Sequence, residues 1–544
     1  MSTERRPAAG KGPGKSSRRR FLGTLAGIGC VGGCGRRLPA FTGSLIGADM
    51  ELGHRARDRS LGASSKVVRT RAVIVGAGIA GLSAAYRLTR RGMGDFVVLE
   101  LERDAGGNSR SGVNRVSAYP WGAHYVPLPG ATAVEVSELF RDLGVIERHD
   151  DRGLPVYREE FLCHDPMERL FLHGRWQEGI VPHHGLSAGE RGEIDRFLDF
   201  TDRLKEANGS DGLPLFAIPV DRSSRDAEWQ RLDGMTMAAW MDREGYRAPA
   251  LRWYVNYCCR DDFGAGIDRV SAWAGLHYFA ARSGVAANAA SHSVVTWPEG
   301  NGWFVGRLRG AVSERLRTRC AVWKVEREGT GVRVEAWDGA SAAGVTYVAD
   351  AAILAVPGHM AARLESDSVG VARGPVSFPW VVANLTLDRL PVGRGAPLAW
   401  DNVIYDSPSL GYVVATHQGL APYPKETVLT YYRPFDDTDA MTARTTASRR
   451  SYSEWCDLVL SDLSSVHPEL RSTLRHLDVM VWGHGMVAPV PGMLWGPSRG
   501  GLRTSEGPVY RAHSDASGMS LFEEACTRGV MAADALTAGL EARA

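Results

Sequence analysis

Three glycines, Gly76, Gly78 and Gly81, follow directly on an apolar β-branched run, Ala72 to Val75, and open a helical pattern that continues to Arg91. In that strand–turn–helix setting the G-x-G-x-x-G spacing has a physical meaning. Gly76 permits the tight turn, Gly78 lets a pyrophosphate approach the backbone, and Gly81 lets the helix pack closely on the strand. The helix N-terminus then turns unpaired N–H groups and a positive dipole end toward the phosphates. A second strand, residues 95–99, ends in Glu100, 19 residues after Gly81 and placed to accept hydrogen bonds from a ribose diol. Gly106-Gly107-Asn108 and Arg110 follow, and then Trp121-Gly122-Ala123-His124-Tyr125. Near the other end of the chain, a short strand over 509–513 leads to Asp515, and Ser520 and Glu523 have the S-x-x-E spacing of a capping box. The helix they would begin runs to residue 540. Its N-terminus could point at a bound ring system and stabilise negative charge there, or the helix could simply pack the domain shut.

These residues need a framework drawn from much of the chain. At 544 residues the protein is long enough for two or three domains. Helical patterns follow the glycine unit from Thr132 and again over 190–207, 235–246, 248–257 and 270–281, with short strand-like pieces between 150 and 180. A helix is expected over 303–315. Period-two alternation over 321–327 and 331–337 with Gly329 between them predicts a hairpin. Residues 351–357 read as a buried strand closed by Pro357, residues 377–432 as an antiparallel sheet, 451–465 as helix, 477–482 as strand and 483–501 as loop. The expected class is α/β: a Rossmann-like FAD/NAD(P)-binding domain into which a mixed α+β substrate domain is inserted. The expected boundaries are 66–130, 291–370 and 480–544 for the nucleotide domain, and 131–290 with 371–479 for the substrate domain. Residues 35–65 read as a polar, irregular linker.

The formal net charge is +2, but residues 1–33 carry seven Lys and Arg against Glu4 alone. Removing that +6 leaves the rest of the chain at −4, so no nucleic-acid-binding surface is expected. Ser17-Arg18-Arg19-Arg20-Phe21-Leu22 followed by a short, glycine-rich apolar stretch has the form of a twin-arginine export signal over residues 1–34, too short to span a membrane. Cys34, or less well Cys30, resembles a lipoprotein cleavage site, but the residue three before each is not Leu, so a membrane tether through Cys34 and its absence both stay open. The six remaining cysteines are too sparse for a disulfide scaffold, and no Cys/His group has metal-ligand spacing. Cys258-Cys259 reads as a pair of small core residues.

Taken together, Gly76-Ala-Gly78-Ile-Ala-Gly81, Glu100, Gly106-Gly107 and Gly122-Ala123-His124 resemble the N-terminal FAD signature of flavin-containing amine oxidases and the related phytoene desaturases. Residues 322, 353–357 and 512–529 resemble later parts of the same fold, so the resemblance spans residues 70–540. It extends to a group of exported bacterial FAD-dependent oxidoreductases with this leader, linker and G-G-N-S-R run. The resemblance implies FAD as cofactor. Gly76, Gly78, Ala80 and Gly81 would hold the pyrophosphate, Glu100 the adenosine ribose, and Gly107 and Asn108 the phosphates and ribityl chain. Gly122, Ala123 and His124 would sit against the isoalloxazine, Val322 by the adenine, Asp515 by the pyrophosphate or ribityl region, and Ser520 to Glu524 at the pyrimidine end. The family usually has Arg after the double glycine. Here it is Asn108, and Arg110 could supply the charge. Many amine oxidases also carry a Lys near flavin N5 that assists reaction with oxygen, and the matching strand here has Asn384.

The resemblance therefore implies hydride transfer from an amine, including a polyamine, to flavin N5, with a dehydrogenase favoured over an oxidase and the acceptor open between oxygen and another. The flavin carries the hard chemistry. Candidates for the substrate face are His124, Asn384, Trp482 and Tyr510, with Trp121, Tyr125 and His484 beside them; aromatic rings among these could hold an amine by cation–π contact. Desaturation or isomerisation of an apolar substrate, and a non-catalytic flavoprotein scaffold, are the competing readings, because fold does not dictate function.

Overall fold

The strand before the glycines, Ser64–Val75, lies at the middle of a seven-stranded sheet in the computed structural model, which describes residues 41–62, 64–365, 375–419, 424–496 and 507–543. Phe96–Leu99 and Ala343–Leu354 flank it, both parallel, and Val509–Arg511 adds a further parallel strand beside the end of Ala343–Leu354. Both faces are covered at the ends Ala72–Val75, Phe96–Leu99 and Ala351–Leu354, which is why those ends read as unbroken apolar runs rather than alternating ones. The hairpin Cys320–Glu328 and Gly331–Asp338 forms as expected and continues antiparallel onto Ala343–Leu354. On one face pack the helices Ile79–Arg90, Gly302–Val312 and Phe522–Glu541. The C-terminal helix crosses the first helix at Gly529, where an added Cβ would lie 2.1 Å from the Ala80 carbonyl oxygen. Thus the two ends of the nucleotide domain meet backbone to backbone.

A second sheet of eight strands builds the substrate domain. Its central strand, Ser377–Leu387, is buried along its whole length. Val381, Ala383, Leu385 and Leu387 pack toward Tyr452–Leu463, while Phe378, Trp380 and Val382 face the helical insert. That alternation is the period of a strand, and it puts Asn384 on the insert side. The insert supplies Ala188–Lys205, Met237–Arg243, Pro249–Phe263 and Ala272–Ala280. Pro249–Phe263 starts on proline and ends at Gly264 with φ +63°, a left-handed cap that suits glycine.

Three expectations need correction. The strand Leu474–Val487 runs as one piece through the expected domain boundary at 480 and through the start of the expected loop, pairing with Ser377–Leu387. The substrate sheet therefore keeps it, and the polypeptide returns to the nucleotide domain only afterwards. The linker is not irregular: Leu45–Gly47 joins the edge of the eight-stranded sheet and Met50–Arg57 is a helix. Ala56 and Leu61 from this segment pack on Ala321 and Trp323 of the other sheet, so short elements with little local signal are fixed by tertiary contact. Finally, Ser520 makes no capping box, because the helix begins after Leu521 and the Ser520 hydroxyl accepts from the Val487 N–H at 2.9 Å. The leader, with Cys30 and Cys34, lies outside the described residues. The six described cysteines are free and buried. Among the described residues no helix is long and apolar enough to cross a membrane, and no group of three or more His, Cys, Asp or Glu is arranged to hold a metal.

The helix crossing makes a paired prediction. Gly529→Ala should lower Tm, because overpacking costs about 1–3 kcal/mol and outweighs alanine's helix advantage of about 1 kcal/mol. Gly306→Ala, on an exposed helical position with open space around it, should leave Tm unchanged or raise it. Differential scanning calorimetry of the two variants checks the sign of each.

Candidate active site

The glycine turn forms a cradle. Gly76 has φ +96°, and a Cβ at Gly81 would stand 1.9 Å from the Gly76 carbonyl oxygen, so only glycine closes this corner. Gly78 has nothing within 4 Å of where its Cβ would be. It begins the helix with no side-chain cap, which leaves N–H groups facing open space. Ala80 lies buried one residue inside that helix. Gly106 pairs with Gly78, donating its N–H to the Ala77 carbonyl at 2.8 Å, and brings Gly107 and Asn108 across the turn. The Glu100 carboxylate accepts from the N–H groups of Ala77 at 2.7 Å and Glu102 at 2.9 Å. Burial raises its pKa. Val322 follows closely on Cys320, whose N–H bonds the Glu100 carbonyl. Asp515 accepts from the Gly358 N–H at 2.8 Å; burial pushes its pKa up, but His513 and that N–H outweigh it and hold the carboxyl below its usual value.

Arg110 carries the anion test. Its guanidinium bonds Glu102 at 3.4 Å and lies 5.0 Å from the centre of the Trp482 ring. Its Nε and one terminal nitrogen are nevertheless buried with no protein acceptor. Buried donors without partners are rare because each costs about 1–3 kcal/mol, and these two await an anion. Together with the open Gly78 face, they fit a dinucleotide.

Residues 120–125 are pinned from both domains. From the nucleotide side, the Arg110 and Asn108 carbonyls accept from Trp121 and Ala123 N–H, and the Asn301 amide donates to the Tyr125 carbonyl. From the substrate sheet, Asn384 donates to the Pro120 carbonyl at 3.1 Å, the Trp482 indole to the Trp121 carbonyl at 2.6 Å, and the Tyr432 hydroxyl to the Gly122 carbonyl at 3.1 Å. A Cβ on Gly122 would strike the Asn108 carbonyl at 2.2 Å. The loop presents the His124 ring in a stack on Tyr432 at 4.6 Å, with Trp400 at 5.5 Å and Tyr125 at 5.1 Å. Burial lowers the His124 pKa to about 4, so the imidazole is neutral at physiological pH.

Beyond these rings lies a group of acidic side chains. On Pro249–Phe263, Tyr254, Cys258 and Asp261 recur at i, i+4 and i+7 with Tyr257 beside them, and so share a face. Asp261 accepts from the Tyr125 hydroxyl at 3.1 Å, and Asp401 from the Tyr257 hydroxyl at 3.3 Å. Glu168 is the register partner of Asp401 on the neighbouring parallel strand, which sets two carboxylates side by side. Glu168, Asp261 and Asp401 are each half-buried. Burial raises the pKa of all three, and the charges of Glu168 and Asp261 add to the rise at Asp401. The adjacent arginine, Arg282, is committed to Asp262 through contacts of 2.6 and 2.7 Å.

The structure sorts the expected substrate-facing residues. His124 and Tyr125 are in the aromatic box. Asn384 is spent: its amide holds Pro120 and its oxygen accepts from Thr430 at 2.7 Å, so it positions the loop. Trp482 likewise braces the loop. Tyr510 is buried in the nucleotide-domain core against the far end of the C-terminal helix near Gly539, away from the box. His484 stacks on His359 at 4.3 Å beside Asp515 rather than in the box. Glu524 gives one oxygen to the Val220 N–H at 2.6 Å and keeps the other buried without a partner. Sequence reasoning missed Trp400, Tyr432, Glu168, Asp261 and Asp401. The one available signal was the acidic pair Asp261-Asp262 near the end of an aromatic-rich helix.

A family profile described as an NAD(P)-binding Rossmann-like domain matches residues 74–143. Among solved structures, putrescine oxidase bound to putrescine superposes with TM-score 0.61 at 15% identity, over 87% of this chain and 100% of that one. Cyclohexylamine oxidase from Brevibacterium oxydans IH-35A gives 0.59 at 16%, over 87% and 99%. A protein assigned as a protoporphyrinogen oxidase, from Exiguobacterium sp. 255-15, gives 0.57 at 15%, over 88% and 100%. At such identity the likeness is one of fold: an α/β Rossmann-like domain with a second, mixed domain. No curated protein sequence matches the chain significantly.

Arg110→Met is expected to weaken dinucleotide binding at least about tenfold, the equivalent of about 1.4 kcal/mol. Measuring cofactor Kd by fluorescence titration, with circular dichroism as a check on folding, tests it.

Proposed function

We propose that this chain is an FAD-dependent oxidoreductase that oxidises amines. The observation that carries the reading is the set of three half-buried carboxylates, Glu168, Asp261 and Asp401, grouped beside the His124–Tyr432–Trp400 box. Desolvating an ion costs several kcal/mol unless a partner repays it, and like charges on neighbouring strands repel. A cationic substrate supplies the missing partner, and the aromatic faces add cation–π attraction of about 0.5–2 kcal/mol. An apolar substrate for desaturation or isomerisation would leave the carboxylates uncompensated, and an anionic one would meet repulsion. Two of the structural neighbours are named for amine oxidation, which supports the same reading.

The glycine cradle, Glu100, Arg110 and Asp515 would hold FAD, and the N-terminal end of Phe522–Glu541 would lie by its ring. Bound there, the flavin supplies a two-electron hydride acceptor. The protein's part is orientation: the pinned loop sets His124 and Tyr125, the rings exclude water, and the carboxylates hold the ammonium. The acceptor is inferred to be something other than oxygen. Asn384 stands where amine oxidases often have Lys. Of the described lysines, Lys66, Lys205 and Lys425 are exposed and Lys324 pairs with Glu326, so none faces the cavity. The Ser17–Leu22 signal supports export by the twin-arginine route, which carries proteins already folded around a cofactor, and Cys34 is the inferred site of any lipid anchor.

The purified protein should be yellow and should bleach anaerobically with an amine, then turn over with an artificial dye but not with oxygen. Rapid peroxide release would overturn the dehydrogenase assignment. Glu168→Gln with Asp401→Asn should raise the KM for amines at least about tenfold, an effect of about 1.4 kcal/mol, yet raise Tm. The sign follows from linkage: carboxyl pKa values raised by folding mean that the native state binds more protons, so stability falls as pH rises above the ordinary carboxylate range. The Tm of the amine-free wild type should drop over that range, and the double variant should lose this dependence.

A further inference from the structure

Resting on the amine reading above, we propose that Asp261 is the base that deprotonates the bound substrate. An alkylammonium group has a pKa near that of lysine, about 10.4, so at pH 7 fewer than about one molecule in a thousand is neutral. The carbon next to nitrogen can release hydride only when the nitrogen lone pair is free to form the iminium. A cavity that selects the ammonium ion must therefore also remove its proton.

Geometry singles out Asp261 among the acids. Asp262 is locked by the two contacts to Arg282. Asp401 receives the Tyr257 hydroxyl and lies beside Glu168 in register on the sheet, where each carboxylate opposes the charge of the other. Asp261 is the acid bonded to Tyr125, the chain neighbour of His124, and the Tyr125 ring is edge-on to Trp400 at 5.8 Å. It thus stands directly behind the aromatic box. The groups facing it are Tyr257, Cys258 and Asp262 from its own helix, Tyr125 from the pinned loop, Tyr278 and Arg282 from the end of the next helix, Glu168 and Asp401 from the sheet, and Tyr432 from the box. Burial first, and then the charge of Asp262, lift its pKa to about 7, while Arg282 and the Tyr125 hydroxyl pull it down. A base poised near the working pH is the effective one. His124 is unsuited, since burial holds its pKa to about 4.

The step balances. The Asp261 carboxylate takes one N–H proton from R–CH2–NH3+, leaving R–CH2–NH2 and the carboxylic acid. FAD, held by the glycine cradle, Glu100, Arg110 and Asp515, would supply the two-electron acceptor for the Cα hydride, and the freed nitrogen lone pair would form the C=N bond of R–CH=NH2+. Water hydrolyses that iminium, and the Asp261 proton leaves to solvent.

The test is anaerobic stopped-flow reduction of the flavin in the purified holoenzyme, using whichever of putrescine, spermidine or benzylamine bleaches the wild type fastest, from pH 6 to 10. In wild type the limiting rate should rise with pH. Asp261→Asn should lower it at least about tenfold at pH 7 and recover most of the deficit at pH 10, where solution deprotonates the amine. A pure binding role would raise the substrate Kd and leave the limiting rate at the wild-type value, which overturns the proposal. Tyr125→Phe guards against misfolding of the first variant. Losing the hydroxyl that stabilises the carboxylate should move the rising limb to higher pH, and an unmoved limb overturns the assignment. If no amine bleaches the wild type, the amine reading itself falls, a result distinct from a reducible wild type with an unimpaired Asp261→Asn.

Discussion

Six or more hydrogen bonds converge on residues 120–125, and the rest of the site depends on that convergence. The nucleotide domain holds the loop through Asn108, Arg110 and Asn301, and the substrate sheet holds it through Asn384, Tyr432 and Trp482. Most of the acceptors are backbone carbonyls, so the loop's path is fixed whatever its side chains are. The exception is Gly122, where the Asn108 carbonyl leaves no room for a Cβ. A loop tied to two sheets transmits the position of each to the other. That is the arrangement needed when one domain holds the electron acceptor and the other the donor, because orientation errors of an ångström cost rate steeply.

The second constraint is electrostatic. Glu168 and Asp401 sit in register on adjacent strands with Asp261 nearby, and Arg282 is engaged elsewhere. Nothing in folding favours this; a sheet built for stability would place apolar or oppositely charged residues there. Strain of this kind persists where it serves binding. The same low dielectric that makes the carboxylates costly makes them strong partners for a cation.

What could be read before the structure divides along the same line. The cradle was legible because its requirements are local. Gly76, Gly78 and Gly81 answer to a turn, a close approach and a helix contact within six residues, and Glu100 follows one strand later. The hairpin at 321–337 was legible for the same reason. The box was not, because Tyr432 and Glu168 lie on strands, and Trp400 just before one, whose neighbours are set by sheet order rather than chain order. Tyr510 shows the converse error. It follows a residue pattern close to cofactor-binding segments, yet strand alternation turns its ring into the core. Asn384 faces the insert as strand alternation dictates, but its amide is consumed by Pro120 and Thr430.

Asn384 also shows how the two halves of the site can vary independently. A lysine there would carry charge toward the cavity and would lose the amide that bridges Pro120 to Thr430. With asparagine the position serves architecture, and the cavity's charge balance is left wholly to Glu168, Asp261 and Asp401. The arginine beside them, Arg282, lowers the Asp261 pKa but is held by Asp262, and among the described residues Glu168 and Asp401 have no ion-pair partner. With Arg282 engaged by Asp262, any further compensation of these acids has to come from outside the described residues.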